Sequence, residues 1–195
     1  MQRFVIVVDT QVDFMHADGA LAVSGAAALE PAMRAWLGCL DPADTAGVLF
    51  TFDTHDADTY PASAEARQFP IHCVRATPGW ANVLDPAVID RAIPAFRAEK
   101  GVFDLWAEPD VAIEALADGG RTPRDTFFAA LKAKGIDTVT VIGVAADYCV
   151  RWAIDGLVAR GFAVEVPAHL TRGIARPIDA VIRDDFAGAP VRLAV

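Results

Sequence analysis

Three residues of this chain carry side chains that could share one reaction, and each follows a segment that reads as a strand, the one before Lys100 being the weakest. Asp9 closes Arg3 to Asp9 (RFVIVVD), Lys100 follows Ala95 to Glu99 (AFRAE), and Cys149 comes soon after Val139 to Val144 (VTVIGV). A thiolate attacks a carbonyl carbon. A carboxylate can take the thiol proton and later return it to a leaving amine. An ammonium beside them favours both anions. Cys149 falls in the first turn of a helical pattern, where free N–H groups and the helix dipole favour negative charge. A lowered thiol pKa is therefore expected. Taken singly, each residue has a plainer reading: an inert buried thiol, or a solvated acid or lysine at a strand end. Their coincidence at the ends of three runs favours chemistry.

A second set could hold a cation. Ala46 to Asp53 (AGVLFTFD) also ends in an acid, and Asp53-Thr54-His55 is followed downstream by His72. In extended chain, positions i and i+2 point the same way. One carboxylate and two imidazoles suit a divalent ion with open positions. Glu65 could be a further ligand, and the plain alternative is polar loop surface. Phe14, Phe69 and Phe103 each lie near one of these residues in sequence and could wall a pocket for a flat ring, or be ordinary core aromatics.

The elements that must position these groups read as follows. Continuous β-branched runs bounded by Gly are buried parallel strands, and α/β proteins place functional groups at the carboxyl ends of such strands. Strands are expected at Arg3–Asp9, Ala46–Asp53, within Ala92–Glu99, at Val139–Val144, at Phe162–Val166 and at 191–195. Helices are expected at Ala26–Leu40, with Pro31 in the first turn, from Thr122 as N-cap with Pro123 at the first helical position to Lys134, from Val150 to Arg160, and at Pro177–Phe186. Gln11–Gly25 and Thr54–Trp80 read as loops, and the chain after Lys100 reads as irregular up to Arg121. This order predicts an α/β fold: a three-layer α/β/α sandwich around a mostly parallel five- to six-stranded sheet, Rossmann-like, in a single domain spanning 1–195. No GxGxxG follows the first strand and no GxxxxGK[ST] occurs, so dinucleotide and P-loop sites are not expected.

The net charge of −9 disfavours a nucleic-acid partner. No apolar run approaches a membrane span, and the opening segment lacks the pattern of a signal peptide. Three cysteines without CxxC spacing suit a reducing cytoplasm.

The ordered motifs resemble those of the isochorismatase-like cysteine hydrolases of the nicotinamidase type. They are Asp9-Thr10-Gln11-Val12-Asp13-Phe14, Gly19-Ala20-Leu21-Ala22-Val23, Asp53-Thr54-His55, His72 through Gly79, Lys100-Gly101, Gly143 through Val150, and Arg172-Gly173-Ile174. The resemblance implies hydrolysis of nicotinamide to nicotinate and ammonia, with Cys149 as nucleophile, Asp9 as base then acid, and Lys100 as electrostatic partner. It implies a cis peptide at Val144–Ala145, with the Ala145 and Cys149 N–H groups as oxyanion hole. It places Zn²⁺, or Mn²⁺ or Fe²⁺, at Asp53, His55 and His72, and the substrate ring among Phe14, Phe69 and Phe103. A homo-oligomer is also implied. Departures at Thr54, Ala76, Ala146 and the segment after Lys100 leave a sibling reading open: hydrolysis of another small amide, ureido or carbamoyl compound.

Overall fold

The computed structural model describes residues 2–194. In chain order its strands and helices are β1 (Arg3–Val8), α1 (Val12–Met15), α2 (Glu30–Gly38), β2 (Thr45–Asp53), β3 (Ala95–Lys100), β4 (Ala112–Ala115), β5 (Arg121–Pro123), α3 (Arg124–Ala133), β6 (Thr138–Val144), α4 (Cys149–Ala159), β7 (Ala163–Pro167), β8 (Thr171–Arg172), α5 (Ile178–Asp185) and β9 (Val191–Ala194). The residue expected to end the last strand, Val195, lies outside the described residues.

Alternation along β1 sets the layers. Val5 and Val7 pack with Leu29, Met33 and Leu37 around α2 on one face of the sheet. Phe4, Ile6 and Val8 pack on the other, against Phe128 of α3, Ile154 and Leu157 of α4, and Val181 of α5. Both faces are covered, which is why β1 and β6 are apolar at nearly every position rather than at alternate ones. Each such side chain contributes about 1.5–3 kcal/mol on burial.

The sheet order is β5-β4-β3-β2-β1-β6-β7-β9, with β8 also paired to β6. Among the described residues it holds nine strands, more than the five or six expected from sequence. The additions come chiefly from the segment expected to be irregular: β4 runs antiparallel to β3, and β5 antiparallel to β4. These strands are too short to show a period, and Ile113 is the one fully buried residue of β4. The helix start is also corrected. Thr122 and Pro123 pair with Ile113 and Ala112 in β5, the Arg124 N–H bonds the Val111 carbonyl, and α3 opens at Arg124. The expected helix Ala26–Leu40 divides into a 3-10 turn, Ala26–Leu29, and α2, which has its proline in the first turn. The loop Gln11–Gly25 contains the single turn α1.

For the site, the consequential feature is the run β3-β2-β1-β6. Their carboxyl ends lie side by side, and Asp53 stands directly opposite Lys100 in the β2–β3 register.

Candidate active site

Lys100 Nζ is the hub of the first cluster. It lies 2.8 Å from Asp9 Oδ2, 3.2 Å from Asp53 Oδ1 and 3.5 Å from Cys149 Sγ. All four residues are buried. Asp9 turns off β1 at a φ of +47°, a left-handed conformation that aspartate tolerates better than most residues. Its Oδ1 accepts the Thr51 hydroxyl at 2.6 Å. Burial would strip the Lys100 proton, but the Asp53 and Asp9 carboxylates outweigh it and hold the ammonium well above its ordinary range.

Cys149 corrects an expectation. It does open α4, as the sequence reading placed it. Its pKa is nevertheless raised: burial disfavours the thiolate more than Lys100 supports it, and the Asp9 and Asp53 carboxylates add to the rise. The Asp9 carboxylate, bound to the same ammonium, is the group placed to receive the thiol proton.

Asp53 links this cluster to a second one. Its Oδ2 lies 2.9 Å from His72 Nε2 and 3.1 Å from His55 Nε2. Glu65 Oε2 lies 3.2 Å from His55 Nε2. One ligand atom from each of Asp53, His55, Glu65 and His72 falls within 4.8 Å of the others, and all four residues are buried. His72 arrives through a bridge in which the His55 N–H bonds the Cys73 carbonyl and the Arg75 N–H bonds the His55 carbonyl. His72 Nδ1 is 2.8 Å from the Pro70 carbonyl, a contact that fixes the orientation of the ring and turns Nε2 toward Asp53.

The residues fit a divalent cation. Glu65 Oε2 is buried without a hydrogen-bond partner and faces the other three donors. Burial would lower the His55 pKa, but the Asp53 and Glu65 carboxylates beside its ring raise it to about 9. Two buried carboxylates draw positive charge onto the nearest ring, and a metal ion would supply that charge instead. Two oxygens and two imidazole nitrogens suit Zn²⁺, Mn²⁺ or Fe²⁺.

Phe69 and Phe103 meet edge-on at 5.5 Å, and each meets Tyr148 at 5.4 Å. Phe14 lies apart from them, against the His72 ring at 5.3 Å. The Val144–Ala145 peptide bond is cis. Neither the Ala145 nor the Cys149 N–H donates to a protein acceptor among the described residues.

Sequence reasoning gave no role to several residues that shape the site. Gln11 is fully buried, and its amide grips Asp53 at both main-chain groups, at 2.8 Å each, and the Trp80 carbonyl at 3.0 Å. Asp13 Oδ2 accepts the Cys73 N–H at 2.7 Å and so fixes the residue after His72. The Tyr60 hydroxyl donates to the carbonyls of Phe69 and Pro70. Tyr148 completes the aromatic group; its position directly before Cys149 was the available signal.

No family model matches the chain. It is 32% identical over 194 residues to the nicotinamidase/pyrazinamidase of Mycobacterium tuberculosis, covering 98% of this chain and 97% of that one. It is 28% identical over 189 residues to the nicotinamidase of Escherichia coli, covering 88% and 84%. The crystal structure of the pyrazinamidase of Pyrococcus horikoshii in complex with zinc shares the fold, with a TM-score of 0.73 at 23% identity over 100% of this chain and 99% of that one. Aligned with the mycobacterial enzyme over almost its whole length at 32% identity, the chain belongs to the nicotinamidase/pyrazinamidase family.

Proposed function

We propose that this protein is a metal-dependent nicotinamidase, one hydrolase domain over residues 1–195, that converts nicotinamide and water into nicotinate and ammonia. The observation that carries the reading is Lys100 Nζ, which touches Asp9 and Cys149 at one flank and Asp53 of the four-donor group at the other. Asp9 takes the thiol proton as Cys149 Sγ bonds to the amide carbon. This coupling suits a thiol whose pKa is raised, because the proton leaves only as the new bond forms. The Ala145 and Cys149 N–H groups receive the oxyanion. Collapse breaks the C–N bond, and Asp9 returns the proton to the departing nitrogen to give ammonia. Water, deprotonated by Asp9, then attacks the thioester; nicotinate leaves and the thiol is restored. Lys100 holds the anionic partners together throughout.

Asp53, His55, His72 and Glu65 would hold the ion, zinc by preference, and it would supply a Lewis-acidic contact for the pyridine nitrogen. Phe14, Phe69 and Phe103 would position the ring. The intact donor set favours this reading over a sibling amidase for a ureido or carbamoyl compound. Among the described residues no helix is long and apolar enough to cross a membrane. Free Cys39, Cys73 and Cys149 support a cytoplasmic setting. Leu193, exposed on the outermost strand β9, supports self-association. Incubation of the zinc-loaded protein with nicotinamide, followed by ammonia and nicotinate measurement, tests the function; absence of both products refutes it, and an amide panel then identifies the sibling substrate.

A further inference from the structure

Glu65 is 5% exposed, and its three acceptor oxygens face three parts of the site. Its backbone carbonyl accepts the Phe69 N–H at 2.9 Å. Its Oε1 accepts the Phe103 N–H at 2.7 Å. Its Oε2 has no hydrogen-bond partner and lies 3.2 Å from His55 Nε2. Phe69 and Phe103 in turn meet each other and Tyr148, the neighbour of Cys149. One residue thus anchors both phenylalanine rings by their main chains while facing the candidate ligands.

The loop that carries Phe103 has its other restraints elsewhere. The Gly101 N–H bonds the Glu108 carboxylate, and the buried Arg124 guanidinium holds the Leu105 and Glu108 carbonyls. Between these anchors, the Phe103 N–H is the one main-chain donor of residues 102–104 with a protein acceptor among the described residues. A carboxylate tied to a cation through one oxygen has its torsions fixed, so its other oxygen becomes a stationary acceptor. Without the cation, the Phe103 hydrogen bond alone must order a flexible side chain.

We infer that Glu65 is a positioning residue that makes the Phe69–Phe103 wall conditional on the bound cation, so that the ring pocket is well formed only in the metal-loaded enzyme. The inference rests on the metal-dependent reading above. It extends that reading from ligation to the shape of the pocket.

Amide hydrogen exchange, followed by NMR on the full chain with zinc and after chelation, tests it. In the wild type, zinc should slow exchange at Phe103 by roughly tenfold and leave Val141, in the central strand β6, unchanged. In Glu65→Ala, Phe103 should exchange fast with or without zinc, while Val141 protection shows that the fold is intact. With zinc saturating, the KM of Glu65→Ala for nicotinamide should rise about fivefold, more than kcat falls. Glu65→Gln keeps the Oε1 acceptor but turns an amide NH2 toward the cation, so Phe103 protection in this variant should no longer respond to zinc. Exchange at Phe103 that ignores zinc in a wild type that binds it overturns the coupling, as does an unchanged KM in zinc-bound Glu65→Ala. Zinc-dependent protection of Phe103 without nicotinamide turnover supports the coupling and refutes the substrate assignment alone. Failure to bind zinc overturns both.

Discussion

Replacing Lys100 by methionine keeps a similar stem and deletes one charge at the centre of the site. The ammonium lies 2.8 Å from Asp9 and 3.2 Å from Asp53, and both acids are 0% exposed. Removing one partner of a buried pair costs about 3–5 kcal/mol, because the remaining charge is left without a counterion. At about 2–4 °C per kcal/mol for a chain of this size, Tm should fall by about 6–20 °C. The loss should depend on pH. In the wild type, burial would raise the Asp53 pKa, but Lys100 and the two histidines hold it well below the ordinary carboxylate range. That share of stability is present above the unfolded carboxylate pKa and persists at pH 5. In Lys100→Met the buried Asp53 carboxyl loses the charge that most opposes burial and shifts upward, so stability is present at low pH and lost as pH rises through its raised value. Each carboxyl protonated in the folded variant, but not in the unfolded chain, contributes about 1.4 kcal/mol per pH unit. Between pH 7 and pH 5 the gap to wild type should shrink by up to about 2.7 kcal/mol per group. Urea denaturation of both proteins at the two pH values, with a chelator present, measures it. Equal stability at pH 7, or a gap that ignores pH, refutes the reasoning.

Gln11→Leu strips three hydrogen bonds from main-chain groups of the buried Asp53 and the half-buried Trp80 and should cost about 2–5 kcal/mol by chemical denaturation. It should also weaken zinc binding by calorimetry; a variant with wild-type stability and affinity refutes the clamp. Gly156→Ala places a Cβ 2.0 Å from the Trp106 indole nitrogen. That overpacking should cost about 1–3 kcal/mol and shift tryptophan emission, and an unchanged spectrum and Tm speak against it. Zinc at a hundredfold excess over Kd should stabilise the protein by about 2.7 kcal/mol, so chelation should lower Tm by about 5–11 °C. A calorimetric scan that does not move would remove the metal from the account.

What could be read in the sequence follows from where each feature's physics resides. β1, β2 and β6 announce themselves because double-sided burial demands unbroken apolar runs. Asp9, Asp53 and Cys149 were legible as candidates because they close or follow such runs, and Lys100 because it follows a weaker strand. The ionisation of Cys149 was not, since the helix end is local but the burial that overrides it comes from the whole fold. β4 and β5 escaped because three or four residues carry no period, and their pairing depends on β3 lying nearby. Glu65 sits in an unpatterned loop, and its tie to Phe103 spans 38 residues. Gln11 was visible as part of a motif, but its role depends on meeting Asp53 and Trp80, 42 and 69 residues away.

The pairing of Asp53 with Lys100 across β2 and β3 gives this part of the chain something like a reading frame. Side chains on a strand alternate faces, so one residue gained or lost between Pro94 and Lys100 turns the ammonium to the opposite side of the sheet. Two residues would restore the side but move the charge along the strand by about 6.6 Å, beyond reach of Asp9. Length changes are confined by this frame to places where no reactive group is being aimed. The turn between β4 and β5, where Gly119 has open space around it, is such a place. Related chains should therefore vary in length there and hold a constant count through β3.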